Sequence, residues 1–105
     1  MSTRWFVSRH IGASHWLENQ GISIDRQVAH LNLSDIQAGD QVFGTLPIHL
    51  AAAVCAKGAS YFHLSLELPA AYRGKELSAD QMQLFNARLE QFAVSKIANT
   101  TAEYL

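Results

Sequence analysis

The sequence is poor in the features that announce several familiar chemistries. One cysteine, Cys55, in 105 residues excludes an internal disulfide framework and fits a reducing compartment. Within its apolar segment Leu50 to Ala56, that thiol reads as a small buried hydrophobe. Five histidines are present, but not at zinc-type spacings, so no metal and no cofactor is expected. The formal net charge is only −1, which leaves no global basic field to attract long nucleic acid; an anionic ligand would have to be gripped locally. No apolar run approaches the length of a membrane span, and Met1-Ser2-Thr3-Arg4 lacks the anatomy of a signal peptide. A cytoplasmic protein with no membrane partner is therefore expected. The glycines form neither a dinucleotide fingerprint nor a Walker-type loop, and no nucleophile elbow surrounds Ser8. Internal repeats and low-complexity segments are absent.

What remains is a globular composition, 49% apolar and 16% charged, in a chain sized for one domain. Residues 1–95 read as that domain and 96–105 as a flexible polar tail. Trp5-Phe6-Val7 has the composition of a buried strand. It runs into Ser8-Arg9-His10, then Gly12, which would permit a tight turn, and a helix from about Ala13 to Asn19 closed by Gly21. A second strand is expected within 24–31, and 32–40 is a connector with room for one helical turn. A third strand spans Gln41 to Leu46. Pro47 opens an alanine-rich helix over Ile48 to Lys57, apolar nearly all round and ended by Gly58. Ser60 to Leu66 is a fourth strand and 67–77 a polar loop. Ser78, with Gln81 three places on, caps a last helix carrying Met82, Leu84, Phe85, Leu89, Phe92 and Ala93 at spacings of three and four. Strands separated by helices predict an α/β fold: a small, Rossmann-like, mostly parallel sheet of about four strands flanked by helices.

Ligands of such sheets sit outside the carboxyl ends of the strands. Polar groups fall there after the first strand (Ser8, Arg9, His10), after the third (Thr45, Leu46, Pro47, with His49) and after the fourth (Ser65, Glu67). The loop carrying Arg73 and Lys75 can fold over the same edge. Arginine donates two parallel hydrogen bonds to phosphate, histidine exchanges a proton near neutral pH, and a helix N-terminus presents free amides to an anion. Duller roles exist for each: Ser8 and Thr45 as helix caps, Arg9 as a solvated loop residue, His10 and His49 as structural groups, Arg73 and Lys75 as loop solubilisers. His15, His30 and His63 lie within predicted elements and read as core or surface.

Taken together, Trp5-Phe6-Val7-Ser8-Arg9-His10-x-Gly12, Val28-Ala29-His30-Leu31 and Gly39-Asp40-x-Val42-x-Gly44-Thr45-Leu46-Pro47-x-His49-Leu50-Ala51-Ala52 resemble a small CRISPR-associated family, called Csx-sixteen. His63-Leu64-Ser65-Leu66-x-Leu68-Pro69 and Arg73-Gly74-x-Glu76-Leu77 extend the resemblance, which covers about residues 4–92. It implies a CARF-related (CRISPR-associated Rossmann-fold) ring nuclease of type III CRISPR defence. Such a protein would be a homodimer that binds cyclic tetra-adenylate across its two-fold axis. The implied reaction is metal-independent: a ribose 2′-hydroxyl attacks its own 3′-phosphate and leaves linear products with 2′,3′-cyclic phosphate ends. On that reading Arg9 clamps phosphate with Ser8 beside it, and His10, with His49 as second choice, transfers the proton. Gly12, Thr45, Leu46, Pro47, Ser65, Arg73 and Lys75 would line the ring. A binding protein that holds the ring without cutting it needs the same side chains and is the main alternative.

Overall fold

Trp5 and Phe6 set the layering of the molecule. In the computed structural model, which describes residues 2–98, they lie in strand β1 (Arg4–Val7) and are both buried. Adjacent strand residues point to opposite faces, so Phe6 joins one core and Trp5 another. Phe6 packs with Trp16, Leu17, Phe43, Leu64 and Met82; Trp5 packs with Ile36, Val42, Ala51, Val54 and Tyr61. Both faces of the sheet are therefore covered, as a mainly parallel sheet requires.

The remaining elements follow in order: α1 (Ile11–Asn19), β2 (Arg26–Val28), a 3₁₀ turn (Leu33–Asp35), β3 (Gln41–Gly44), α2 (Ile48–Ala56), β4 (Ser60–Ser65), a second 3₁₀ turn (Ala70–Tyr72), α3 (Ala79–Leu84) and β5 (Arg88–Phe92). They build one five-stranded sheet in the order β2-β1-β3-β4-β5. Strands β1 to β4 are parallel and β5 is antiparallel to β4. The α/β, Rossmann-like architecture expected from the sequence is present.

The largest correction concerns the last helix. It has the expected Ser78–Gln81 capping box but stops at Leu84, and Leu89 and Phe92 belong to a fifth strand. Asn86 adopts a left-handed backbone (φ 58°), which ends the helix. Arg88–Phe92 then complete the open edge of β4, from Ser65↔Arg88 to Tyr61↔Phe92. Unpaired β4 backbone is a stronger determinant here than the helical spacing of the side chains.

Smaller differences follow the same logic. Only Arg26–Val28 of the expected second strand pairs with β1, while Ile24 packs against the Phe6 core. Strand β3 ends at Gly44, before Thr45 and Leu46. Pro47 is the N-cap of α2 and not its first helical residue, and its carbonyl accepts from Leu50 and Ala51. Gly12 makes no turn: it is the second residue of α1, where a Cβ would lie 1.8 Å from the Leu77 carbonyl oxygen. Its missing side chain lets α1 pack directly on the segment that leads into α3. Cys55 is half-buried, with Sγ 3.8 Å from the Phe92 carbonyl. Of the expected tail, 96–98 is irregular and 99–105 lies outside the described residues.

At the amino edge of the sheet, Asp40 is 2% exposed and accepts three hydrogen bonds: from Thr3 N (2.9 Å), Gln37 N (3.0 Å) and Trp5 Nε1 (3.2 Å). Burial alone would raise its pKa, but these bonds overcome that and hold the carboxyl below its ordinary value. Asp40 thus ties the N-terminus, β1 and the 29–40 connector to the start of β3.

Candidate functional site

Strands β1 and β3 are neighbours, yet their connections diverge. From β1 the chain runs through α1 to β2 on one side; from β3 it runs through α2 to β4 on the other. A crevice opens at such a switch point, outside the carboxyl ends of the two strands. Here it lies between Ser8–His10 and Gly44–Pro47. Val7 and Gly44 are paired in the ladder, and a Cβ on Gly44 would lie 2.9 Å from the Val7 carbonyl oxygen. Glycine at this position lets the two strand ends approach closely.

Both nine-residue helices begin at this edge, α1 after His10 and α2 after Pro47, and neither cap residue supplies a side-chain hydrogen bond to its helix. Their first amides are consequently available to an anion, reinforced by the positive end of each helix dipole. Ser8 does not cap α1: its Oγ accepts from His10 N (3.0 Å) and shapes the turn. Thr45 is exposed and makes no side-chain hydrogen bond among the described residues.

A cavity of about 200 Å³ occupies the crevice, with Leu64, Leu66 and Met82 in its apolar lining and Ser8, His10, Thr45 and Lys75 as its polar groups. These four expected residues are brought together. The other seven are not part of the lining. Arg9, between the lining residues Ser8 and His10, is exposed, as is Arg73, and neither makes a salt bridge among the described residues. Gly12 is buried in packing, Leu46 packs against the Trp5 core, and Pro47 serves as the α2 cap. Ser65 is paired with Arg88, and His49 lies on the outer side of α2.

Two further groups enter that the sequence reading did not place in the site. Glu76, in the 67–77 loop, is 2.8 Å from His10 Nδ1 through Oε1, and both side chains are about two-thirds exposed (66% and 68%). In the sequence that loop stands out by its cations, Arg73 and Lys75, and a carboxylate beside them gives no local sign of its partner. Tyr61 lies beneath the Gly44–Leu46 elbow. Its hydroxyl accepts from Leu46 N (2.8 Å), lies 3.2 Å from the Gly44 carbonyl oxygen and 2.6 Å from His63 Nδ1. Burial raises the phenol's pKa, an effect that the Leu46 hydrogen bond opposes. The signal for this pair was present as two polar-tipped residues at i and i+2, on one face of a strand.

Residues 5–95 match the family described as "Putative CRISPR-associated protein (Cas_VVA1548)". The chain belongs to this CRISPR-associated family. The matched stretch contains β1 from Trp5 onward, the other four strands and every residue that lines the crevice. No curated protein and no solved structure matches the chain. Among the described residues, no helix is long and apolar enough to cross a membrane, and no group of three or more His, Cys, Asp or Glu is placed to hold a metal ion.

A larger groove, about 900 Å³, runs along the outer face of α2 between Ile48, His49, Ala52 and Cys55 and the 93–96 segment. Ile48 is 76% exposed in it, so an apolar face begins next to the N-terminus of α2 and hence next to the crevice.

Proposed function

We propose that this CRISPR-associated protein is a ring nuclease that binds and cleaves cyclic tetra-adenylate. The observation that carries the reading is the His10–Glu76 pair at the rim of a switch-point cavity, between two helix N-termini. With Glu76 accepting the Nδ1 hydrogen, the Nε2 lone pair of His10 is free to take a proton from a ribose 2′-hydroxyl. The 2′-oxygen attacks the adjacent phosphorus, the bond to the 5′-oxygen breaks, and the leaving oxygen regains a proton. The products are a 2′,3′-cyclic phosphate and a 5′-hydroxyl. The nucleophile belongs to the substrate, so the protein's tasks are alignment and charge stabilisation. Lys75, Thr45 and the amides of α1 and α2 serve the phosphate within the crevice, and Arg9, between the lining residues Ser8 and His10, clamps the ring's backbone.

Homodimer formation is part of the same reading. A two-fold dimer would supply two crevices to a ligand that itself has a two-fold axis, and the exposed apolar groove along α2 offers a surface for the second copy. The alternative, binding without cleavage, is favoured by the exposure of His10 and Glu76. Catalytic acid–base groups are more often held in water-poor sites.

Incubation with a several-fold excess of cyclic tetra-adenylate in EDTA, followed by chromatography, tests the proposal. Linear products beyond one equivalent per site are expected. Intact ring that co-elutes with the protein would replace cleavage by sequestration, and an intact ring that does not bind would overturn both.

A further inference from the structure

Tyr61 and His63 belong to no part of the reaction just described, yet they occupy a decisive place beneath it. The Tyr61 hydroxyl has one hydrogen to give and two lone pairs to receive with. Three groups surround it: the Leu46 amide at 2.8 Å, the Gly44 carbonyl at 3.2 Å and His63 Nδ1 at 2.6 Å. The amide can only donate and the carbonyl can only accept. If Nδ1 were the bare nitrogen of the ring, it would compete with the Gly44 carbonyl for the single phenolic hydrogen, and the two contacts could not both be hydrogen bonds. If Nδ1 carries the hydrogen, all three contacts are hydrogen bonds at once. Leu46 N–H and His63 Nδ1–H fill the two lone pairs, and the hydroxyl donates to Gly44.

We propose that Tyr61 and His63 are positioning residues. His63, as the Nδ1–H tautomer, orients the Tyr61 hydroxyl, which fastens both ends of the Gly44–Leu46 elbow. The elbow carries Thr45 into the cavity lining and sets where α2 begins. Its span is three residues, and the phenol holds the first by its carbonyl and the last by its amide, so Thr45 has little backbone freedom. His63 is itself held in place from the other side, edge-on to Phe92 of β5 at 6.0 Å. The effect on ligand rests on the ring-nuclease reading; the tautomer and the fastening do not.

The test begins on the unaltered protein. Long-range ¹H–¹⁵N correlation of the histidine rings, at a pH where His63 is neutral, is expected to show Nδ1 protonated and Nε2 bare. The reverse pattern would overturn the assignment, whatever the protein binds. Amide exchange then reads the elbow. Tyr61→Phe should accelerate exchange of the Leu46 amide by about tenfold or more, the loss of one part-buried hydrogen bond. His63→Asn keeps a donor near the Nδ1 position and should retain protection, whereas His63→Leu should lose it. Equal Leu46 exchange in all four proteins would refute the positioning role. Affinity for cyclic tetra-adenylate, measured on the same variants, should fall in Tyr61→Phe and His63→Leu and recover in His63→Asn. Altered exchange with unaltered affinity would confine Tyr61 and His63 to holding the elbow and would refute the link to ligand.

Discussion

The two edges of the sheet are built on opposite principles. At the amino edge, Asp40 is enclosed and takes three N–H donors, two from Thr3 and Trp5 and one from Gln37, and Asp25 Oδ2 accepts from Arg4 N (2.8 Å). At the carboxyl edge, two helices begin without side-chain caps, the Thr45 side chain makes no hydrogen bond among the described residues, and the His10–Glu76 contact stands in solvent. Cohesion is concentrated at one edge and unused binding capacity at the other. A domain this small cannot leave both edges unsatisfied, because the net stability of a domain is only about 5–15 kcal/mol. The closed edge is what allows the open one.

Substitutions at the two edges should therefore separate stability from activity. The largest expected effect is at the open edge. His10→Ala should slow ring cleavage by about a thousandfold, the scale of general base catalysis, while urea denaturation shifts by less than about 0.5 kcal/mol, because the side chain is exposed. The closed edge should show the converse. Asp40→Ala strands three donors and should cost about 3 kcal/mol in urea denaturation, with cleavage per folded molecule unchanged. Arg9→Ala should weaken binding or cleavage by about a hundredfold, as expected for loss of a charged clamp, again with the fold intact. Wild-type behaviour would remove Arg9 from the site.

The smallest effect is on pH dependence. The Asp40 carboxyl is held below its ordinary value, so its contribution is fully present above the unfolded-state pKa of about 3.9 and is lost as pH falls through the folded value. Melting temperature should thus hold between neutrality and about pH 5 and decline below about pH 4. Asp40→Asn should flatten that acid decline. An unchanged slope would place the acid sensitivity in other carboxylates.

Legibility in the sequence followed the range of the interactions. Strands β1, β3 and β4 and helices α1 and α2 were readable because aromatic or alanine-rich runs are punctuated by glycine, proline and polar triplets, all local signals. Strand β5 was not. Its defining interaction is with β4, and the spacing of Met82, Phe85, Leu89 and Phe92 satisfies a helix equally well. In the site, Ser8, His10, Thr45 and Lys75 could be read because polar residues that follow strands collect at one edge of a parallel sheet. The His10–Glu76 contact spans 66 positions and leaves no local trace. Gly12 shows the same limit: a glycine that makes room for the distant Leu77 carbonyl is indistinguishable, in sequence, from one that makes a turn.

The antiparallel β5 also has a consequence for how the protein is made. During synthesis, β1 to β4 with α1 and α2 leave the ribosome first, and one flank of β4 then waits for residues 88–92. Until they emerge, Tyr61 to Ser65 present an open row of amides and carbonyls beside Phe62 and Leu64, a template for pairing with another nascent chain. The segment that closes the sheet is thus the nascent chain's protection against its neighbours on the same polysome. Chains interrupted before Arg88 should be the species that aggregates.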